Sequence, residues 1–459
     1  MAGGSTGGGE AASTGAGGVG LPRFGAALRV WLRIGLLSFG GPAGQIAMMH
    51  REIVEQRRWL GERRFLHALS FCSLLPGPEA QQLATYLGWV MHGPPGGVAA
   101  GTLFVLPGAV VLLALSILYA TLGQVPAVDG IFFGLKCAVL AIVAHSVVRI
   151  GRRALKTRAS WVVAVAAFLA LYVFAVPFPL VVVAAGLVGF WRPEWFKAAA
   201  HGDAHGDTPG LIERVLAADP GRLRRQAAAA QRAGVCALVL WLVPVALLAA
   251  LAPGTYADVA WFFSRMAVVT VGGAYAVLAY VAQDAVHAYH WVSPAEMLAG
   301  LGLAETTPGP LILVLQFVGF MAGYRAPGPL HGVVGGVVAS ALTLWVTFLP
   351  CFTFVFLGAP LVEQLAENKR LAAALAAVTA SVVGVIANLS VWFAIHAVFG
   401  ATVTWRAGPA ALELPVVSSV AVPAATVAAV AALLIFRFGQ SVPRVLAICA
   451  VVGLAVKLA

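Results

Sequence analysis

Apolar residues in this chain run together in long blocks instead of alternating with polar ones, the pattern of helices surrounded by lipid or by other helices. Six such stretches precede a polar region at 191–232, at about 25–49, 65–91, 96–120, 127–149, 160–176 and 178–191. One stands alone at 233–252, and six follow at 256–281, 294–321, 329–357, 370–399, 415–437 and 443–458. Several approach the ~20 residues a helix needs to cross the hydrocarbon core of a bilayer. The fifth and sixth are short and meet at Pro177-Phe178-Pro179, which predicts a tight helical hairpin. The pattern predicts an all-α polytopic membrane protein.

Composition agrees. Of 459 residues, 61% are hydrophobic and 10% charged, against roughly 45–50% and 25% in a soluble domain. The net charge of +11 comes from a few loop clusters, not from a basic stripe, so a nucleic-acid partner is excluded. Cys72, Cys137, Cys236, Cys351 and Cys449 all fall in apolar stretches without paired spacing, and read as small buried hydrophobes. The Gly-rich start, 1–22, lacks the build of a signal peptide and reads as a disordered tail.

The second set of six stretches repeats the first. Gly272-Gly273 follows Gly40-Gly41 by 232 residues, and the same spacing relates Arg33 to Arg265, Ser38 to Thr270, Trp59 to Trp291 and Pro76-Gly77-Pro78 to Pro308-Gly309-Pro310. Pro107 and Pro350 are 243 apart, consistent with a longer connection in the second copy. The predicted layout is a first repeat at 23–191, a cytoplasmic polar linker at 192–232, a connecting transmembrane helix at 233–253 and a second repeat at 254–459. Six segments plus one turn the second copy upside down, so two homologous inverted-topology halves are expected. Basic residues at Arg149–Arg158 and in the linker place the amino terminus in the cytoplasm and the carboxyl terminus outside. Arg51, Arg57, Arg58, Arg63 and Arg64 lie in a loop that simple counting puts outside. Re-entrant hairpins in place of full crossings would remove that conflict.

Two constellations could carry chemistry. Ser38-Phe39-Gly40-Gly41-Pro42, with Thr270-Val271-Gly272-Gly273, interrupts an apolar helix, which is tolerable at membrane depth only where protein or water satisfies the freed amides. Such amides could face an anion, or the glycines could serve close helix packing. Leu75-Pro76-Gly77-Pro78-Glu79, with Thr306-Thr307-Pro308-Gly309-Pro310, reads as a pair of half-helix starts, or as kinked helices. A half-helix start offers unpaired N–H groups and partial positive charge. Glu79 could cap the dipole or couple protons to transport, with Glu305 as its functional companion. Lys136 lies near the middle of an apolar stretch, where it calls for a partner or an aqueous path unless it snorkels. Arg33 and Arg265 could guide anions or anchor segment ends. His201 and His205 look like a solvated linker more than a metal site. No metal, cofactor or catalytic residue is called for, and no ATP-binding loop occurs.

Phe39-Gly40-Gly41-Pro42, Trp59-Leu60, Pro76-Gly77-Pro78 and Gln82-Leu83-Ala84-Thr85-Tyr86-Leu87-Gly88, with their echoes in the second copy, resemble the chromate ion transporter family in its long two-domain form. The resemblance covers about 25–458. It implies a secondary transporter exporting chromate across the bacterial inner membrane and conferring resistance, with no enzymatic step. Sulfate, also a tetrahedral dianion, is the natural look-alike, and a sulfate importer or passive anion channel is the alternative. The implied partners are chromate, the lipid bilayer and, in a homodimer, a second copy. The second copy departs in lacking proline after Gly273 and glutamate after Pro310. Together these readings assign the substrate to Ser38, Gly40, Gly41, Pro76, Gly77, Pro78, Lys136, Thr270, Gly272, Gly273, Thr306, Thr307 and Gly309, and coupling or gating to Glu79, Arg33, Arg265 and Glu305.

Overall fold

The computed structural model describes residues 21–39, 41–196, 209–270, 274–327, 330–359, 368–408 and 410–458. Among them the chain is helical almost throughout, an all-α membrane protein with seventeen α-helices. The predicted tail lies outside the described residues except for its last two.

The first half contains α1 (Phe24–Leu37), α2 (Gly41–His50), a π-helical turn at Arg51–Gln56, α3 (Glu62–Leu74), α4 (Glu79–Leu122), α5 (Pro126–Ala154), α6 (Arg158–Tyr172) and α7 (Phe178–Trp191). After the linker helix α8 (Leu211–Ala218), α9 (Arg222–Leu251) leads to the second half. That half runs α10 (Thr255–Val269), α11 (Ala274–Gln283), a π-helical turn at Asp284–Ala288, α12 (Pro294–Thr306), α13 (Val314–Tyr324), α14 (Gly332–Gly358) and α15 (Lys369–Val398). It closes with a β-hairpin, β1 (Thr402–Ala407) and β2 (Ala410–Pro415), then α16 (Val422–Phe436) and α17 (Val442–Leu458).

The apolar blocks are cut where glycine and proline permit. The block at 25–49 becomes α1 and α2 because Ser38 leaves helical geometry and Gly41 takes φ +73°. α4 is two arms meeting at His92 (φ −130°) and Gly93 (φ 68°), with Pro94 opening the second arm, where its missing N–H costs nothing. α13 and α14 repeat those arms as two separate helices. α9 starts at Arg222, inside the stretch read as a linker, because Arg222–Gly234 is rich in Ala, Arg and Gln. Those residues favour helix without being apolar.

The halves contact each other reciprocally. Gly189 of α7 packs on Ala373 and Ala377 of α15, and Gly453 of α17 packs on Gly130 and Gly134 of α5. Residues 373 and 377 are 130 and 134 advanced by 243. Each half therefore lends its last hairpin to the other half's central helix, as in an isologous contact. α5 and α15 are the most enclosed of the long apolar helices, each with 56% of its apolar window buried.

Hydrogen bonds gather several connections at one end of the bundle. Leu211 and Ile212 amides donate to the Arg58 and Trp59 carbonyls, both at 2.9 Å, and Arg222 donates to the Met91 carbonyl. His92 contacts the Pro22 carbonyl at 2.8 Å. In the second half, Tyr256 donates to the Leu330 carbonyl at 2.6 Å and Arg325 to that of Trp291 at 2.8 Å.

The cysteine expectation needs one correction. Cys72, Cys137, Cys351 and Cys449 are buried and unpaired, but Cys236 is exposed. It lies on α9, a peripheral helix with only 22% of its apolar window buried, whose outer face is left for lipid.

Candidate functional site

The two Pro-Gly-Pro segments cross the two glycine breaks, each from the opposite half. The Gly77 amide donates to the Thr270 carbonyl at 2.7 Å, and the Gly309 amide donates to the Ser38 carbonyl at 2.8 Å. Residues 77 and 309, like 38 and 270, are 232 apart, so one bond is the image of the other. Gly77 (φ +123°) and Gly309 (φ +95°) hold backbone shapes that side chains rarely adopt. Ser38, Gly77, Pro78, Thr270 and Pro308–Pro310 are buried, while Pro76 is partly buried. The breaks are true helix ends: α3 stops at Leu74, α4 starts beyond Pro78, and a 3₁₀ turn at Leu311–Leu313 leads into α13.

Three buried glutamines outside the expected set tie down nearby carbonyls. Gln45 donates to Gly309, Gln82 to Pro76 and Gln316 to Ala109. Hydroxyls in the loops look inward to their own helices. Ser38 and Thr270 each donate to the carbonyl four residues back at 2.6 Å, and Thr306 and Thr307 to those three residues back. In this state those hydroxyls stiffen the helix ends, and the amides of Gly77 and Gly309 join the halves. The donors left near the crossing are the opening amides of α4 and of the 3₁₀ turn.

The remaining expected residues are spread around this crossing. Leu135, beside Lys136, packs against Gly302 of α12, one turn before Thr306. Lys136 is partly buried and makes no ion pair among the described residues. Glu79 lies close to Ser73, whose hydroxyl donates to the Leu69 carbonyl at 3.0 Å. Glu305, itself buried, stands 232 residues after Ser73, so each half brings one carboxylate to the corresponding place from a different chain position. Gly40, Gly272, Gly273, His201 and His205 lie outside the described residues.

Arg33 and Arg265 have partners that sequence reasoning missed. Arg33 Nε is 3.4 Å from Glu52, and Arg265 Nη2 is 3.6 Å from Asp284. Glu52 and Asp284 are also 232 apart and both lie in the π-helical turns, so the spacing that found the arginines would have found them. Arg149 was read only as a topology signal, yet its guanidinium approaches Gly41, with Nη2 3.8 Å from the point a Cβ there would occupy.

The chain matches the chromate transporter family over residues 26–190 and 257–454, which leaves out the linker and all of α9 and takes in both crossing loops. The chain belongs to the chromate transporter family. Its relatives in that family include a chromate transport protein of Pseudomonas aeruginosa, 35% identical over 360 residues, covering 78% of this chain and 77% of its own. A chromate transport protein of Cupriavidus metallidurans is 27% identical over 429 residues, covering 92% of this chain and 91% of its own. No solved structure matches the chain significantly. Family membership and the apolar helices make this a multi-pass membrane protein of a transporter family.

Proposed function

We propose that the chain exports chromate from the bacterial cytoplasm as a secondary transporter of the inner membrane, conferring chromate resistance, and holds the dianion where the two broken loops cross. The reciprocal Gly77–Thr270 and Gly309–Ser38 hydrogen bonds carry this reading. They tie each half-helix start to the glycine break of the other half, at buried positions. Each start supplies about half a positive charge, so the pair balances about one of the two charges on chromate. The remainder falls to a side chain, Lys136 on α5, beside α12. In this reading Ser38, Gly40, Gly41, Pro76, Gly77, Pro78, Thr270, Gly272, Gly273, Thr306, Thr307 and Gly309 shape the loops. Glu79 and Glu305 tune protonation, and Arg33 and Arg265 hold the segment ends.

An inverted arrangement of the halves supports alternating access. Pro22, the basic loop at 58–61, the kink at 92–93 and the start of α9 are hydrogen-bonded neighbours, which supports a reading in which both motif-bearing segments of the first half enter and return on one side. Their basic residues favour the cytoplasm. α9 then crosses once: thirty residues reach about 45 Å. The second half enters from the other face, with its own entry points joined through Tyr256–Leu330 and Arg325–Trp291. The carboxyl-terminal Lys457 pairs with Asp129 at 2.8 Å, at the start of α5 on that face. An inside-negative potential favours the outward journey of a dianion by about 4–5 kcal/mol per 100 mV.

Chromate flux into proteoliposomes tests this. Wild-type protein is expected to saturate and to counter-transport, and Gly77→Leu to lose at least tenfold of the rate while Gly25→Ala, which meets open space, keeps it. Unsaturable current without counter-transport, or full activity in Gly77→Leu, overturns the proposal.

A further inference from the structure

We propose that a cationic cavity at the end of α5 is a second oxyanion site, which loads the crossing from the cytoplasm. The inference rests on the transport reading above for its substrate class and its orientation. The cavity, half open to its surroundings, holds about 320 Å³ and is lined by His145, Val148, Arg149, Arg152 and Arg153 of α5, with Ile435 and Phe436 of α16 as its other wall. Spacings of four from His145 to Arg149 and from Arg149 to Arg153, and of three from Arg149 to Arg152, put the four side chains on one helix face.

Three features distinguish this cluster from a solvated basic turn. First, among the described residues none of the three arginines has a carboxylate within ion-pairing distance, whereas Arg33, Arg57, Arg64, Arg265 and Arg325 are all paired. Arg149 is partly buried with no carboxylate beside it, so an anion there would offset its charge. Second, guanidinium forks match the oxygens of a tetrahedral oxyanion better than ammonium does. The volume corresponds to about ten water molecules, room for a partly hydrated dianion. Third, the cavity is joined to the substrate path: Arg149 lines it and also reaches Gly41, the first residue of α2 at the glycine break. α2 starts at Gly41, so its opening amides lie at the residue this guanidinium approaches.

The corresponding positions of the second half, 243 residues on, are Asn388, Trp392, Ile395 and His396. Trp392 is occupied with aromatic neighbours, His287 at 6.0 Å and His396 at 4.5 Å. The cation trap is therefore built on one face only, and it captures oxyanions on the side from which an exporter must collect them.

The same chemistry would suit a phospholipid phosphate, so the test uses two membranes. Full-length protein is reconstituted in phosphatidylcholine alone and with added phosphatidylglycerol, and chromate KM is measured on each face. Arg149→Gln is expected to raise the cytoplasmic-face KM about tenfold or more, as for loss of a charged hydrogen bond, in both membranes and with little change on the opposite face. Arg149→Lys should recover part of the loss, and Arg152→Gln/Arg153→Gln, at the exposed rim, should raise KM severalfold if Arg149→Gln does not fold. Unchanged KM in these variants, with Gly77→Leu inactive, overturns the second site and leaves the crossing intact. If Gly77→Leu is also fully active, the crossing reading falls with it. An effect seen only with phosphatidylglycerol present means the cavity holds lipid phosphate, and the loading proposal is wrong.

Discussion

The two halves share a scaffold but not its charges. Each has a broken first helix, a π-helical turn, a Pro-Gly-Pro loop donated to the other half, and an arginine paired with an acid in the π turn. Lys136 nevertheless becomes Thr379, and Arg149, Arg152 and Arg153 become Trp392, Ile395 and His396. Glu79 becomes Leu311 while Ser73 becomes Glu305. In the proposed transport cycle, backbone symmetry suits a loop crossing that opens to either side, since the two open states then have similar energies. Charge asymmetry suits the one-way export proposed above. The geometry of the crossing is duplicated, and the cationic side chains around it are not.

The sharpest break of this comparison is at the loops themselves. A Cβ on Gly77 would stand 2.8 Å from Cys351 Sγ and 2.8 Å from Gln82 Nε2, whereas one on Gly309 meets Leu313 Cδ1 at 3.3 Å, a flexible side-chain end. Both positions carry the strain of a positive φ for alanine, roughly 1–3 kcal/mol, and Gly77 adds overpacking of about 1–3 kcal/mol. Gly77→Ala is therefore expected to lower the thermal midpoint in detergent more than Gly309→Ala. Equal losses would show that the tight packing on Cys351 does not distinguish the two loops.

The duplicated ion pairs come next. Glu52 is fully buried between Arg33 at 3.4 Å and Arg57 at 3.3 Å, while the Asp284 side chain is 22% exposed and faces one guanidinium. Breaking a buried pair costs about 3–5 kcal/mol, but exposed Arg33 can regain water. Glu52→Gln is expected to cost about 2 kcal/mol and Asp284→Asn about 0.5–1 kcal/mol, read as the shift in midpoint. A larger loss in Asp284→Asn would mean that burial does not set the strength of these pairs.

Much of the scaffold was legible because it rests on local chemistry. Gly40-Gly41 and the Pro-Gly-Pro segments cannot continue an apolar helix, so the breaks and the repeat could be read from 232-residue spacings. What joins the breaks could not be read, because Gly77–Thr270 and Gly309–Ser38 are contacts between residues far apart in the chain. The exchanged packing of α7 on α15 and α17 on α5 was hidden for the same reason. Arg149 was seen and given a bland role, since its approach to Gly41 depends on how α5 lies against α2. The π turns leave no trace in hydropathy: one widened turn at Arg51–Gln56 changes no residue type.

The smallest effects belong to the loops that follow the π turns, which the halves secure differently. In the first half, Glu213 of the linker helix accepts from the Gly61 amide at 3.1 Å and pairs with Arg64 at 3.7 Å. In the second, Arg325 from the end of α13 pairs with Glu296 and donates to the Trp291 carbonyl. Both pairs are partly exposed, so each contributes at most about 1 kcal/mol. Glu213→Ala should accelerate hydrogen exchange at Gly61 about fivefold, and also at Leu211 and Ile212, whose amides bond to Arg58 and Trp59. Arg325→Ala should loosen the loop around Trp291 by a similar factor and leave Leu211 and Ile212 unchanged, because no part of its clamp comes from the linker. If Glu213→Ala speeds Gly61 alone, the linker is held by its backbone bonds and Glu213 is no clamp. If Arg325→Ala also frees the linker amides, the two loops open together, and the asymmetry at the bundle ends is one of chemistry without independence of motion.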